Sequence, residues 1–109
     1  MSDFNSIGFF QFDNLLQSRT PFLLLLLDEI DLKPNYNSLV HMHLDIISSY
    51  CSSEKALGVV QEKNLPNHYA IIVLDLNGKK SPLVAKSLES AGFINVYYVK
   101  NGFTAFSKE

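Results

Sequence analysis

The sequence predicts an α/β domain in three layers, with helices on both faces of a mainly parallel central sheet of about five strands. Three observations predict it. Residues 21–28, PFLLLLLD, and 69–75, YAIIVLD, are apolar without interruption, and each run ends in an aspartate. A short run apolar on both faces is the pattern of a strand buried in a parallel sheet. Stretches with helical spacing separate and follow these runs, so strands and helices alternate.

Taken in order, Phe12, Leu15 and Leu16 form a short helical stripe. The strand Phe22–Leu27 follows, and DEIDLKPNYNS at 28–38 is a polar loop with one proline and two asparagines. LVHMHL at 39–44 alternates and is expected as a second, shorter strand. Residues 45–65 are expected to be helical in two pieces around SSYCSS, the second burying Ala56, Leu57, Val59 and Val60. Pro66-Asn67-His68 is the turn before the strand Tyr69–Leu74. The next helix is expected to take Ser81 as N-cap, Pro82 at its first position and Gly92 as a left-handed residue past its end. Its apolar stripe is Leu83, Val84, Leu88 and Ala91. Ile94–Val99 is a further strand, and Gly102 opens the segment FTAF.

At 109 residues the chain is expected to be one domain, 1–109. Hydrophobic residues are 47% and charged residues 18%, a balance that excludes a disordered chain. A net charge of -2 and a pI near 5.9 argue against nucleic acid or an anionic membrane surface, which need a basic field. PFLLLLL is too short to span a bilayer, and its flanks are wrong for a signal peptide. A single cysteine, Cys51, permits no internal disulfide and fits a reducing compartment. A cytoplasmic location is the expectation.

In open parallel sheets, sites lie at the carboxyl ends of strands. That singles out the loop Asp75-Leu76-Asn77-Gly78-Lys79-Lys80-Ser81. A phosphate-binding P-loop needs lysine directly before Ser or Thr, with a second glycine five residues before the first. Here Lys80 follows Lys79 and Val73 stands where the glycine should be, so the pattern fails. A phosphoacceptor Asp75, with Asp28 and Glu29 holding magnesium, resembles a two-component receiver domain. Yet only one helix and one clear strand follow Asp75, and Lys100 ends that strand where a receiver places a hydroxyl residue.

A third resemblance runs without a gap from about residue 70 to 106. Asp75-Leu-Asn-Gly78-Lys-Lys80-Ser81 is followed by Ala85-Lys-Ser-Leu88-Glu-Ser-Ala-Gly92-Phe93, then Asn95-Val96-Tyr97-Tyr98-Val99, Asn101-Gly102 and Ala105-Phe106. This resembles the rhodanese homology domain, whose loop runs Cys-x-x-Gly-x-Arg-Ser. PFLLLLLDE at 21–29 also resembles that family's first strand, although only Glu29 of its Asp-x-Arg-Glu element is kept. SLVHMHL does not show the family's His-Ile-Pro-Gly-Ala-Ile stretch. Asp75 stands in the place of the nucleophilic cysteine and Lys80 in that of the arginine.

The resemblance implies a loop that stabilises a thiolate and its persulfide through backbone N–H groups. A carboxylate is a hard oxygen base and does not perform that soft-sulfur chemistry. The reading is therefore an inactive, rhodanese-like binding or regulatory module with no cofactor, no metal and no catalytic residue. Its partner would be a protein or a small anion. Asp75 would supply a permanent negative charge, held by the loop amides with Lys79 or Lys80, or would simply cap the turn. The alternatives are an unconventional sulfurtransferase using Cys51 and a shortened receiver-like domain phosphorylated on Asp75.

Other residues carry weaker signals. His41 and His43, two apart on the expected strand, would share a face and could hold a metal with His68 or a carboxylate; ordinary strand histidines are the simpler reading. Asp28, Glu29 and Asp31 form an acidic cluster whose simpler reading is a solvated loop. Tyr97, Tyr98 and Phe103 would line a contact surface near the sheet end.

Overall fold

A computed structural model describes residues 5–107. Five strands form one sheet: β1 (Ser6–Ile7), β2 (Leu23–Leu26), β3 (Ser48–Tyr50), β4 (Ile71–Leu74) and β5 (Val96–Val99). They lie in the order β1-β5-β4-β2-β3, and every pairing is parallel. β2 and β4 sit at the centre in the register Leu23↔Ile71 to Leu26↔Leu74, and all eight of their residues are buried. The unbroken apolar runs are thus explained by burial on both faces.

Alternation along each strand sorts the core into two. Leu24, Leu26, Ile72 and Leu74 pack with Phe12 and Leu16 of α1 (Phe9–Gln17) and with Val40, Leu44 and Ile47 of α2 (Ser38–Ile47). Leu23, Leu25, Ile71 and Val73 pack on the other face with Ala56 and Val60 of α3 (Ala56–Glu62) and Val84, Ala85 and Leu88 of α4 (Ser81–Ser90). This is the expected three-layer α/β/α architecture. Two short 3-10 segments, Lys33–Asn35 and Gly102–Ser107, complete it.

Several local expectations are corrected. LVHMHL is not a strand; it lies inside α2. Its alternation is a fragment of a longer helical period that buries Val40, Leu44 and Ile47. Asn37 starts this helix, its side chain accepting the Val40 N–H at 3.1 Å. The strand on that side is Ser48–Tyr50, which falls at the SSYCSS break in the stretch 45–65 expected to be helical in two pieces. Nothing apolar marks it; it forms because its backbone pairs with β2 at Leu24↔Ser48 and Leu26↔Tyr50. β1, also unforeseen, adds two residues beside Tyr98 and Val99.

In α4 the N-cap is Lys80, not Ser81, which is the first helical residue. Gly92 does take positive φ, 108°, just past the helix end. The inward stripe is Val84, Ala85 and Leu88; Leu83 is 70% exposed and Ala91 faces solvent. α3 buries Ala56 and Val60 and half-buries Leu57 and Val59, as its spacing requires. Among the described residues no helix is long and apolar enough to cross a membrane.

Leu74 ends β4 directly before the loop and is fully buried. Truncation by Leu74→Ala is expected to cost about 2–5 kcal/mol, the loss of transfer energy plus a residual cavity. Urea unfolding followed by circular dichroism reads this as a lower midpoint with an unchanged slope.

Candidate functional site

The carboxyl ends of β2 and β4 bring Asp28 and Asp75 to one edge, and the turn after β5 closes over them. Asp75 is fully buried. Its Oδ1 accepts the Gly78 N–H at 2.9 Å and the Ser81 hydroxyl at 3.0 Å. Its Oδ2 accepts the N–H groups of Lys80 at 2.7 Å and Ser81 at 3.1 Å. Four donors on two oxygens fill the lone-pair sites that an ionised carboxylate offers. The lysine side chains take no part; backbone amides hold Asp75.

The same bonds complete the start of α4. A helix leaves its first N–H groups without internal partners. Those of Lys80 and Ser81 go to Asp75, Pro82 has none, and Leu83 bonds the Lys80 carbonyl at 3.1 Å. Asp75 therefore caps the helix from across the loop, with its charge at the positive end of the helix dipole. Ser81 is buried and its hydroxyl is spent on Asp75, which is why it does not act as the N-cap.

Asp28 clasps the outside of the loop. Its Oδ2 accepts the Leu76 N–H at 2.9 Å, and its Oδ1 takes the Lys80 ammonium at 2.6 Å. The Lys80 ammonium bonded to Asp28 holds that carboxyl below the ordinary aspartate value; the Leu76 N–H adds to this and burial opposes it. Lys80 thus serves Asp28, while Lys79 is exposed and its N–H donates to Asn77 Oδ1 at 3.0 Å.

The third wall is Asn101-Gly102. Phe103 N–H donates to the Asp75 carbonyl at 2.8 Å and Thr104 N–H to that of Leu76 at 3.1 Å. Gly78 has φ 80° and Gly102 φ 61°, and each lies where a β-carbon would strike the opposing chain. A β-carbon on Gly78 would sit 2.8 Å from the Asn101 Cα, and one on Gly102 2.7 Å from the Gly78 nitrogen. Sequence reasoning missed the roles of Asp28 and of this turn. The Asn-Gly pair after β5 was a turn signal, but nothing local says which loop it meets.

The remaining candidates do not join the site. Cys51 follows β3, with β2 between it and β4, and is half-buried against the α3–α4 core. Burial pushes its thiol pKa up, the opposite of an activated nucleophile. On a helix, His41 and His43 diverge instead of sharing a face. The first meets the Lys33 carbonyl at 2.5 Å and the second the Thr20 carbonyl at 2.9 Å. His68 is exposed in its turn. Asp31 accepts the Lys33 N–H at 3.1 Å, and Glu29 is exposed. Among the described residues no group of three His, Cys, Asp or Glu side chains is placed to hold a metal ion. Tyr98 is buried, Phe103 packs half-buried on the α1–α2 core, and Tyr97 stays 36% exposed. A cleft of about 330 Å³ opens beyond Asp28, lined by Ile30, Asp31, Lys33, Leu44, Asp45 and Tyr50 among others, and it does not reach Asp75.

No protein-family model and no curated protein sequence matches the chain. Solved structures match in fold. The rhodanese-like domain of an Anabaena protein superposes with a TM-score of 0.68 at 18% identity, over 94% of this chain and 72% of that one. Thiosulfate sulfurtransferase from Pseudomonas aeruginosa gives 0.66 at 16% identity, over 94% of this chain but only 18% of that enzyme's length. A rhodanese-like domain protein from Staphylococcus aureus gives 0.65 at 16%, over 96% and 93% of the two chains. The fold is rhodanese-like.

Two outcomes follow from this geometry. Asp75→Ala strands three amides and a buried hydroxyl and is expected to destabilise the domain by about 2–4 kcal/mol in urea unfolding. The Asp28 contribution is pH-dependent. Folding lowers that carboxyl's pKa, so its stabilisation is complete above the unfolded value and is lost as pH falls through the folded one. Lys80→Ala should move the Asp28 titration, followed by carboxyl NMR, back up toward 3.8, the ordinary value.

Proposed function

We propose that this rhodanese-like domain performs no sulfur transfer of its own and serves as a binding or regulatory module. One observation carries the reading: the Asp75 carboxylate takes the three amides and the hydroxyl that converge on position 75. In the active chemistry implied by the resemblance, those donors stabilise a transient sulfur anion. Here a fixed carboxylate occupies the cradle, so these four donors are not open to a substrate anion. A carboxylate has neither the polarisability nor the leaving ability that persulfide exchange needs.

The half-buried Cys51, with its raised thiol pKa, offers no substitute nucleophile. Phosphorylation of Asp75 is disfavoured in the same way, since the attacking oxygen is buried and bonded. Exposed Leu39, Met42 and Ile46, on successive turns of α2, add apolar contact surface that suits a partner protein.

Intact-mass spectrometry with thiosulfate, and separately with a small phosphoryl donor and magnesium, tests this. The expected result is no adduct and no thiocyanate when cyanide is the acceptor. A sulfur adduct on the unaltered chain that disappears in Cys51→Ser would overturn the reading in favour of a sulfurtransferase. A phosphoryl adduct lost in Asp75→Asn would overturn it in favour of a receiver.

A further inference from the structure

Two Asn-Gly dipeptides, Asn77-Gly78 and Asn101-Gly102, face each other across the loop. The close approach requires glycine at both places. Glycine is also the residue that least shields its own nitrogen from the side chain before it. The packing that closes the loop therefore places an exposed asparagine, Asn77, next to the backbone nitrogen best able to attack it.

We propose that Asn77 is a self-modification site, converted through a succinimide to aspartate or isoaspartate, and that the closed loop holds this reaction off. Gly78 nitrogen loses its proton to a solvent base and attacks Asn77 Cγ. The N–Cγ bond forms, the Cγ–Nδ2 bond breaks, and Nδ2 leaves as ammonia after taking a proton from water. Water then adds to either ring carbonyl and opens the ring, with no change in oxidation state.

In the closed loop both reacting groups are engaged. Gly78 N–H is donated to Asp75 Oδ1 at 2.9 Å, and Asn77 Oδ1 accepts the Lys79 N–H at 3.0 Å. Ring closure must break these bonds and turn the Gly78 peptide away from Asp75, so it proceeds from the opened loop. The isoaspartyl product carries an extra methylene in the main chain and a new carboxylate close to Asp75. Gly102 packs against the nitrogens of Asn77 and Gly78, leaving no slack for a longer chain. Loss of ammonia makes the modification one-way, and its isoaspartyl product leaves the loop open. It is independent of whether the domain transfers sulfur.

The full chain is aged at neutral pH, folded and in urea, and peptide mass mapping with isoaspartate detection follows residue 77, with Asn77→Gln as the control that removes the signal. Conversion in the folded chain is expected to be at least about tenfold slower, in proportion to the fraction of open loop. Hydrogen exchange of the Gly78 amide measures that fraction separately. Equal rates in the two states, or slow conversion beside an unprotected Gly78 amide, would overturn the proposal.

Discussion

The buried carboxylate of Asp75 and the four donors around it are the constraint on which the functional edge depends. Taking a charge out of water is costly unless hydrogen bonds replace its hydration. At Asp75 three amides and a hydroxyl do so. The same bonds cap α4, and α4 covers one face of the sheet through Val84, Ala85 and Leu88. One side chain thereby joins the end of β4, the loop and the helix that follows.

Around this centre the edge is built in shells. Asp28 reaches from the end of β2 to Leu76 and Lys80, and the turn after β5 bonds the carbonyls of Asp75 and Leu76. Both neighbouring strands of β4 thus contribute to one loop, as the parallel register dictates by bringing their carboxyl ends level. The two lysines divide between solvent and Asp28. The outcome is a closed loop in a rhodanese-like frame, with the Asp75 carboxylate satisfied from within the chain.

Where sequence reading succeeded, the physical reason was local. β2 and β4 announce themselves because burial on both faces demands continuous apolar side chains. The helix from Ser81 is marked by Pro82 and Gly92, whose backbone restrictions act within a few residues. Where it failed, the decisive residue lay outside the stretch being read. Residues 39–44 alternate over six positions, and only the burial of Ile47 together with the Asn37 cap reveals the helical period. Ser48–Tyr50 is a strand solely because β2 accepts it at the sheet edge.

The sequence by itself determined the α/β class, the two central strands and the loop that Asp75 opens before the helix from Ser81. These are matters of composition, period and residue chemistry. Tertiary structure alone decided that both lobes of that carboxylate are satisfied by backbone amides, that Lys80 turns to Asp28, and that Gly78 and Gly102 interlock. The amides on Asp75 lie within six residues of it, but the last two facts join residues far apart in sequence, Asp28 and Lys80 by 52 positions. Such meetings are fixed by strand order and register, which no local pattern encodes.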